Sequence, residues 1–198
     1  MSDVKPPRPS PERVPLSGIV ARVWQELARA PHDRHHEWRT PVLATQGLEG
    51  EPQARTVVLR QADVANWTLT VFTDARSPKC AELAAQPAAQ LVFWSARLGW
   101  QLRVPVRAAV LETGAVVLEA WTRMRQSRAA ADYLSAEAPG KPLMASGSAS
   151  SKSRASGDAH HLAVLQFQAG EIDWLELHRD GHRRARMTSA GDMQPLVP

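Results

Sequence analysis

The sequence predicts a mainly β fold with a few helices, a small barrel or sandwich decorated by helical segments. Three observations lead there. Six or more short segments alternate apolar and polar residues with a period of two, the signature of half-buried strands. Helical patterns fall between them irregularly, whereas a doubly wound sheet needs strand and helix to take turns. No segment repeats, and 198 residues suit one domain with a full core.

Residues 1–15 carry five prolines among polar residues and read as a flexible arm ahead of a single domain, 16–198. A helix is predicted over 17–29, with Ser17 as its cap and Ile19, Val20, Val23, Trp24 and Leu27 on one apolar face. A polar junction, HDRHHEWRT, leads into a strand at 41–45. Two glycines and a proline in QGLEGEPQ then mark a hairpin running into RTVVLR, residues 55–60. Residues 67–73 form a strand with Trp67, Leu69 and Val71 on one face. A short helix over 77–86 stops near Pro87, and strands follow at 91–94 and 101–111. In the last of these Gln101, Arg103 and Arg107 alternate with Leu102, Val104 and Val106, and Pro105 points to an edge or a bulge. A longer helix is predicted over 114–135, with Val117, Leu118, Trp121 and Met124 on a face. Residues 144–158 read as a mobile loop, and strands close the chain at 161–168, 171–177 and 183–188.

Composition excludes several classes. Apolar residues make up 43% and charged residues 22%, as in ordinary globular proteins. A net charge of +4 is too mild to predict nucleic-acid binding, and the basic runs RSPK, SSKSRAS and HRRAR sit apart without interleaved aromatics. One cysteine, Cys80, precludes an internal disulfide and a cysteine-rich metal site. No apolar run reaches membrane-helix length and the N-terminus lacks a signal-peptide core, so a cytoplasmic location is expected. His32, His35 and His36 with Asp33 and Glu37 are candidate metal ligands by residue type, but their spacing fits no standard helical pair. No metal is expected there.

Two short stretches carry the chemistry. In TDARSPK, residues 73–79, Ser77–Pro78 is a helix start: a capping hydroxyl, then a proline needing no amide partner. Such a start leaves amides and the positive end of the peptide dipoles outward, with Thr73, Arg76 and Lys79 close by. These are the parts of a phosphate site, and equally those of a helix start among surface charges. RTVVLR places Arg55 and Arg60 an odd number of residues apart, so a regular strand sends them to opposite faces. One ligand meets both only if the strand bends.

Taken in order, LATQGLEGEPQARTVVLR, VFTDARSPK, LGWQLRVPVRAAV and IDWLELHRDGHRRARM resemble the pyridoxamine 5'-phosphate oxidase-like family of FMN-binding split β-barrels, over about residue 15 to the C-terminus. The resemblance implies a split barrel, FMN as cofactor, and a homodimer with FMN at the subunit interface. It carries Arg55, Thr56, Val57, Val58, Leu59 and Arg60 of the hairpin, and Phe72, Thr73, Arg76, Ser77 and Lys79 of the next block, into cofactor roles. Gln101, Trp174 and Arg184 complete that set. Gln101 would hydrogen-bond the flavin, and Arg60, with Arg184 in reserve, would stabilise charge on its reduced ring.

The departures bear on the substrate. Vitamin-B6 oxidases of this family hold the substrate phosphate with a tyrosine, an arginine and a serine on the helix after the glutamine strand. Here Trp121 replaces the tyrosine, and Arg125 and Ser127 stand where the others would be. His182 keeps a family histidine that touches substrate, but Asp180 occupies an arginine position and would repel a phosphate. The partner-subunit glutamine–serine pair gives way to AEAPG, residues 136–140. The resemblance therefore implies an FMN-dependent oxidoreductase acting on some other small molecule. The competing reading is a protein that holds flavin, or a planar anionic cofactor such as haem, without turnover.

Overall fold

The computed structural model describes residues 13–142 and 160–198. Residues 1–12 of the predicted arm and the whole 144–158 loop lie outside the described residues. The described chain contains ten strands: β1 (Val42–Gln46), β2 (Pro52–Thr56), β3 (Leu59–Asp63), β4 (Thr68–Asp74), β5 (Ala88–Ser95), β6 (Trp100–Leu111), β7 (Leu162–Ala169), β8 (Glu171–Glu176), β9 (Arg183–Thr188) and β10 (Met193–Leu196). Every pairing is antiparallel. The sheet forks instead of closing. One branch runs β10-β9-β8-β6-β5-β1-β2, and the other leaves β6 through β7 and β4 to β3. The fold is mainly β with helices, as the alternating pattern requires.

The fork is made by β6, which pairs with β5 along one side and with two partners along the other. Residues 100–103 meet β8, and residues 106–111 meet β7. Pro105 falls between those two partners, so β6 is a central strand and the proline marks the fork. The turn from β5 into β6 needs Gly99. Its φ is +67°, and a Cβ there would lie 2.7 Å from the Leu177 carbonyl oxygen.

β7 and β8 make one pass along β6, interrupted at Gly170. Val106 faces Ala169, but Arg103 faces Asp173, so one extra residue enters the pass. The effect is a change of parity. Leu165, Phe167 and Ala169 point into the main core on β7, whereas Ile172 and Trp174 do so on β8.

Three helices pack around the sheet: α1 (Leu16–Arg29), α2 (Pro78–Ala85) and α3 (Ala115–Met124). The apolar stripe of α1 buries Ile19, Val23, Trp24 and Leu27 in the main core beside Trp38, Leu43, Phe93 and Leu102. Ser17 does not cap α1; the helix starts at Leu16 behind Pro15. The helix expected over 114–135 is two pieces, α3 and a 3-10 segment at Arg128–Tyr133. Between them the Ser127 hydroxyl bonds back to the Met124 carbonyl at 2.8 Å. Leu118 is exposed, and Ala120 takes its expected place in a satellite core with Val117, Trp121, Met124, Tyr133, Leu162 and Val164.

The polar junction after α1 is structural. His36 is buried, its Nε2 is 2.8 Å from Glu26, and its Nδ1 accepts the Trp38 amide at 3.1 Å. An Nδ1 that accepts leaves the proton on Nε2, which donates to the carboxylate. Glu37 accepts the Ser95 hydroxyl and the Ala96 amide (3.2 Å), pinning the turn before Gly99. No group of three or more histidine, cysteine or carboxylate residues with metal-site geometry occurs among the described residues.

Candidate functional site

RTVVLR is not one strand. β2 ends at Thr56, and Val57–Val58 bridge to β3, which begins at Leu59. The β3–β4 register then shifts between Leu59 and Gln61, making Arg60 the bulged residue. Bulges re-aim side chains, so the parity that would set Arg55 and Arg60 on opposite faces of a regular strand does not apply here.

The end of β4 and the start of α2 bring Thr73, Ser77 and Lys79 together. Lys79 Nζ donates to Thr73 Oγ1 at 3.0 Å and to Ser77 Oγ. Ser77 is the N-cap residue by position, but its hydroxyl serves Lys79 and makes no capping bond. Among the described residues Lys79 has no carboxylate partner. Burial, reinforced by the nearby Arg55 charge, holds its pKa below the usual lysine value.

Arg55 closes a ring beside this group. Its Nη2 donates to Glu82 at 2.7 Å, its Nη1 to Thr45 Oγ1, and Thr45 donates to the same Glu82 oxygen at 2.6 Å. Glu82 is buried and lies on α2 three residues beyond Lys79. Val57 and Leu59 are core side chains, so any contact they make with a ligand is confined to backbone.

Arg76, expected as an anion ligand, has other work. Its Nε and Nη2 grip both oxygens of buried Asp74, at 3.0 and 2.7 Å. Its remaining donors reach the carbonyls of Ser135 (2.9 Å), Ala136 (3.1 Å) and Glu137 (3.3 Å). It ties the AEAPG stretch to the end of β4.

Arg60 lies on the satellite side of the fold. Its guanidinium sits 5.8 Å from the Phe72 ring centroid and near the buried Tyr133 hydroxyl, while its Nε is buried with no partner among the described residues. Burial raises the Tyr133 pKa, against the opposing pull of Arg60.

Gln101 and Arg184 occupy a third location, the outward face of the sheet. Register places Trp94, Gln101, Leu175 and Arg184 in one row across β5, β6, β8 and β9. Arg184 is held by Asp173 at 2.9 and 2.7 Å, and Arg103 shares that carboxylate. Thr56 is exposed on β2.

Trp174, expected beside the cofactor, lies in the core. It is fully buried, edge-on to Trp100 at 5.4 Å, because the extra residue at Gly170 turns it inward and Leu175 outward. Any contact it makes with a cofactor in this conformation is confined to backbone. Trp121 is likewise buried, its ring tilted 31° to the His160 ring at 4.4 Å, whereas Arg125 and Ser127 are exposed after α3. His182 stands in the β8–β9 turn, where its Nδ1 accepts the His178 amide at 3.1 Å. One chain thus gathers three clusters, around Lys79, Arg60 and Gln101. The sequence reading missed Glu82, Thr45, Asp74, Tyr133 and Asp173. Only Glu82 left a signal, an acid one turn from Lys79 beside buried Leu83.

A family model described as the FMN-binding domain of pyridoxamine 5'-phosphate oxidase matches residues 21–112. A pyridoxine/pyridoxamine 5'-phosphate oxidase of Thermosynechococcus vestitus is 43% identical over 83 residues, 42% of this chain; the match spans only 37% of that relative. Among solved structures, a pyridoxamine 5'-phosphate oxidase-related, FMN-binding protein from Nostoc punctiforme superposes with a TM-score of 0.68 at 22% identity. That likeness covers 95% of this chain and 100% of the other. PhzG from Burkholderia lata, solved with tetrahydrophenazine-1-carboxylic acid, gives 0.70 at 18% identity over 92% of this chain and 93% of its own. At such identities these two likenesses speak for the fold. Residues 21–112 thus match the FMN-binding domain of pyridoxamine 5'-phosphate oxidase in sequence, and the chain as a whole shares the split-barrel fold of these structures.

Proposed function

We propose that the protein binds FMN and acts as an oxidoreductase on a small molecule other than a vitamin-B6 phosphate. One observation carries the cofactor reading: Lys79, desolvated and held among the described residues only by two hydroxyls, stands at the start of α2 with Arg55 beside it. A phosphate monoester supplies the negative charge that this lysine lacks, and the hydroxyls and first-turn amides supply further bonds. The buried, unpartnered Nε of Arg60 fits an acceptor on the same ligand.

Bound FMN would supply the two-electron redox step. In this reading Lys79, Thr73, Ser77 and Arg55 hold the phosphate. Arg60 and Gln101 orient the ring, with Arg184 contributing from the outward face. Arg76 keeps the 135–137 backbone in place. His182 contacts substrate from its turn. Trp121 presents no hydroxyl to a substrate phosphate, which supports a different substrate from that of the B6 oxidases.

Gln101 shares its face with exposed Val42 and Trp94, 36% and 46% accessible, and these apolar side chains support a homodimer built on that face. A single buried thiol and no disulfide fit the reducing cytoplasm. Among the described residues no helix is long and apolar enough to cross a membrane.

The absorbance spectrum of purified protein, before and after FMN titration, tests the reading. Saturable uptake with flavin bands supports it, and a colourless protein indifferent to FMN removes it. Pyridoxamine 5'-phosphate is expected to give little turnover, and sedimentation velocity to show a dimer.

A further inference from the structure

Arg55 and Lys79 are both cations, close enough for the charge of Arg55 to depress the Lys79 pKa. In the absence of an anion they repel, and a long arginine side chain free to rotate would swing away. Instead Arg55 is fixed, because Glu82 and Thr45 take its two terminal nitrogens and Thr45 donates to Glu82 in turn. The ring joins three elements: β1 through Thr45, β2 through Arg55, and α2 through Glu82. Glu82 sits on the same turn of α2 as Lys79, so it fixes the distance between the two cations as well as the orientation of one.

We propose that Glu82 is the positioning residue of the phosphate site: its buried carboxylate sets Arg55 beside Lys79 before the ligand arrives. The proposal rests on the FMN reading above. It opposes simple electrostatics in sign. Glu82 is a negative charge next to a phosphate, so Coulomb's law alone has Glu82→Gln tighten FMN binding. Positioning has it weaken, because the ordering of Arg55 must then be supplied by the ligand. Glutamine keeps the volume and one acceptor but loses the ionic hold on the guanidinium.

The experiment compares dissociation constants for FMN and for riboflavin, which lacks the phosphate. The proteins are wild type, Glu82→Gln, Arg55→Ala, the double variant and Thr45→Val, each checked for an unchanged melting temperature. Glu82→Gln is expected to weaken FMN about tenfold and leave riboflavin unchanged. In the double variant the loss is expected to equal that of Arg55→Ala alone, since Glu82 acts through that arginine. If Glu82→Gln does not fold, Thr45→Val carries the test, with a smaller loss confined to FMN. FMN binding as tight as wild type or tighter in Glu82→Gln (or in Thr45→Val where it stands in), multiplying losses in the double variant, or an equal loss for riboflavin overturns the proposal. A wild-type protein that binds neither flavin overturns the FMN reading and this proposal with it, which is a different result from an indifferent Glu82→Gln.

Discussion

Two charged clusters with similar ingredients are built to opposite ends. At Glu176 a buried carboxylate accepts two bonds from Arg13 (3.0 and 2.7 Å), two from Arg183 (2.7 and 3.0 Å), and the Trp100 indole at 3.2 Å. The spare donors of those arginines are used as well. Arg13 reaches the Gly181 carbonyl, Arg183 reaches the Val14 carbonyl, and Arg183 also lies over the Trp174 ring. At the start of α2 a half-buried lysine finds, among the described residues, only hydroxyls. The first cluster is complete without anything from outside, and it straps the chain at Arg13 and Val14 to β8 and β9. In the proposed reading the second is completed by the phosphate of a ligand. What separates a structural ion cluster from a binding one is therefore the bonds left over, and the number of charges does not reveal it.

The largest effect that would sharpen this contrast is a loss of stability in Glu176→Gln. Removing one partner from a buried ion cluster leaves two guanidinium groups uncompensated and costs about 3 kcal/mol, while FMN affinity should hardly change. Acid titration gives a second reading of the same residue. Burial pushes the Glu176 carboxyl up, but the bonds from Arg183, Arg13 and Trp100 outweigh it and bring the pKa from 4.5 down to about 2. A depressed carboxylate contributes stability that is fully present above its unfolded pKa and is lost as pH falls through the folded one. The wild type should therefore lose this contribution between pH 4.5 and about 2, and urea melts of Glu176→Gln across that window should lack it.

Next in size is the converse variant. Lys79→Met should weaken FMN about thirtyfold, leave riboflavin binding alone, and leave the melting temperature unchanged or raised, because a desolvated ammonium is gone. If Lys79→Met unfolds the protein, or Glu176→Gln abolishes FMN binding, the contrast between the clusters fails. The lowered Lys79 pKa adds a pH signature. FMN affinity should fall with rising pH below the usual lysine value of 10.5, and riboflavin affinity should not follow it.

Arg76→Ala should be milder for the cofactor than Lys79→Met. Its main effect should be faster amide exchange across 135–142, where the arginine now holds three carbonyls. The smallest effect concerns Cys80. Burial lifts its thiol to about 11, so it should resist a thiol reagent at neutral pH until the protein unfolds.

Much of this was legible in the sequence, for physical reasons. β6 announced itself because one face is wet and the other dry, so its polar and apolar residues alternate. Thr73, Ser77 and Lys79 were legible because they lie within one turn of a helix start, where sequence distance and spatial distance nearly coincide. Glu82 left a faint mark, an acid one turn from Lys79, but its link to Thr45 and Arg55 was not legible, since the partner of Arg55 is chosen by how α2 packs against β1. The inward facing of Trp174 could not be read, because a single inserted residue at Gly170 reverses the facing of everything after it and leaves no mark in composition or periodicity. β10 escaped for the opposite reason: four residues with no buried side chain have no pattern to read.

The fork at β6 has a consequence for how the molecule comes apart. One strand is the common rail of both branches, so loss of β6 would release both at once. The protein should melt as a single cooperative unit, with the slowest-exchanging amides on residues 100–111, and damage to the β8–β9 side should be felt as early melting at β4 and β7.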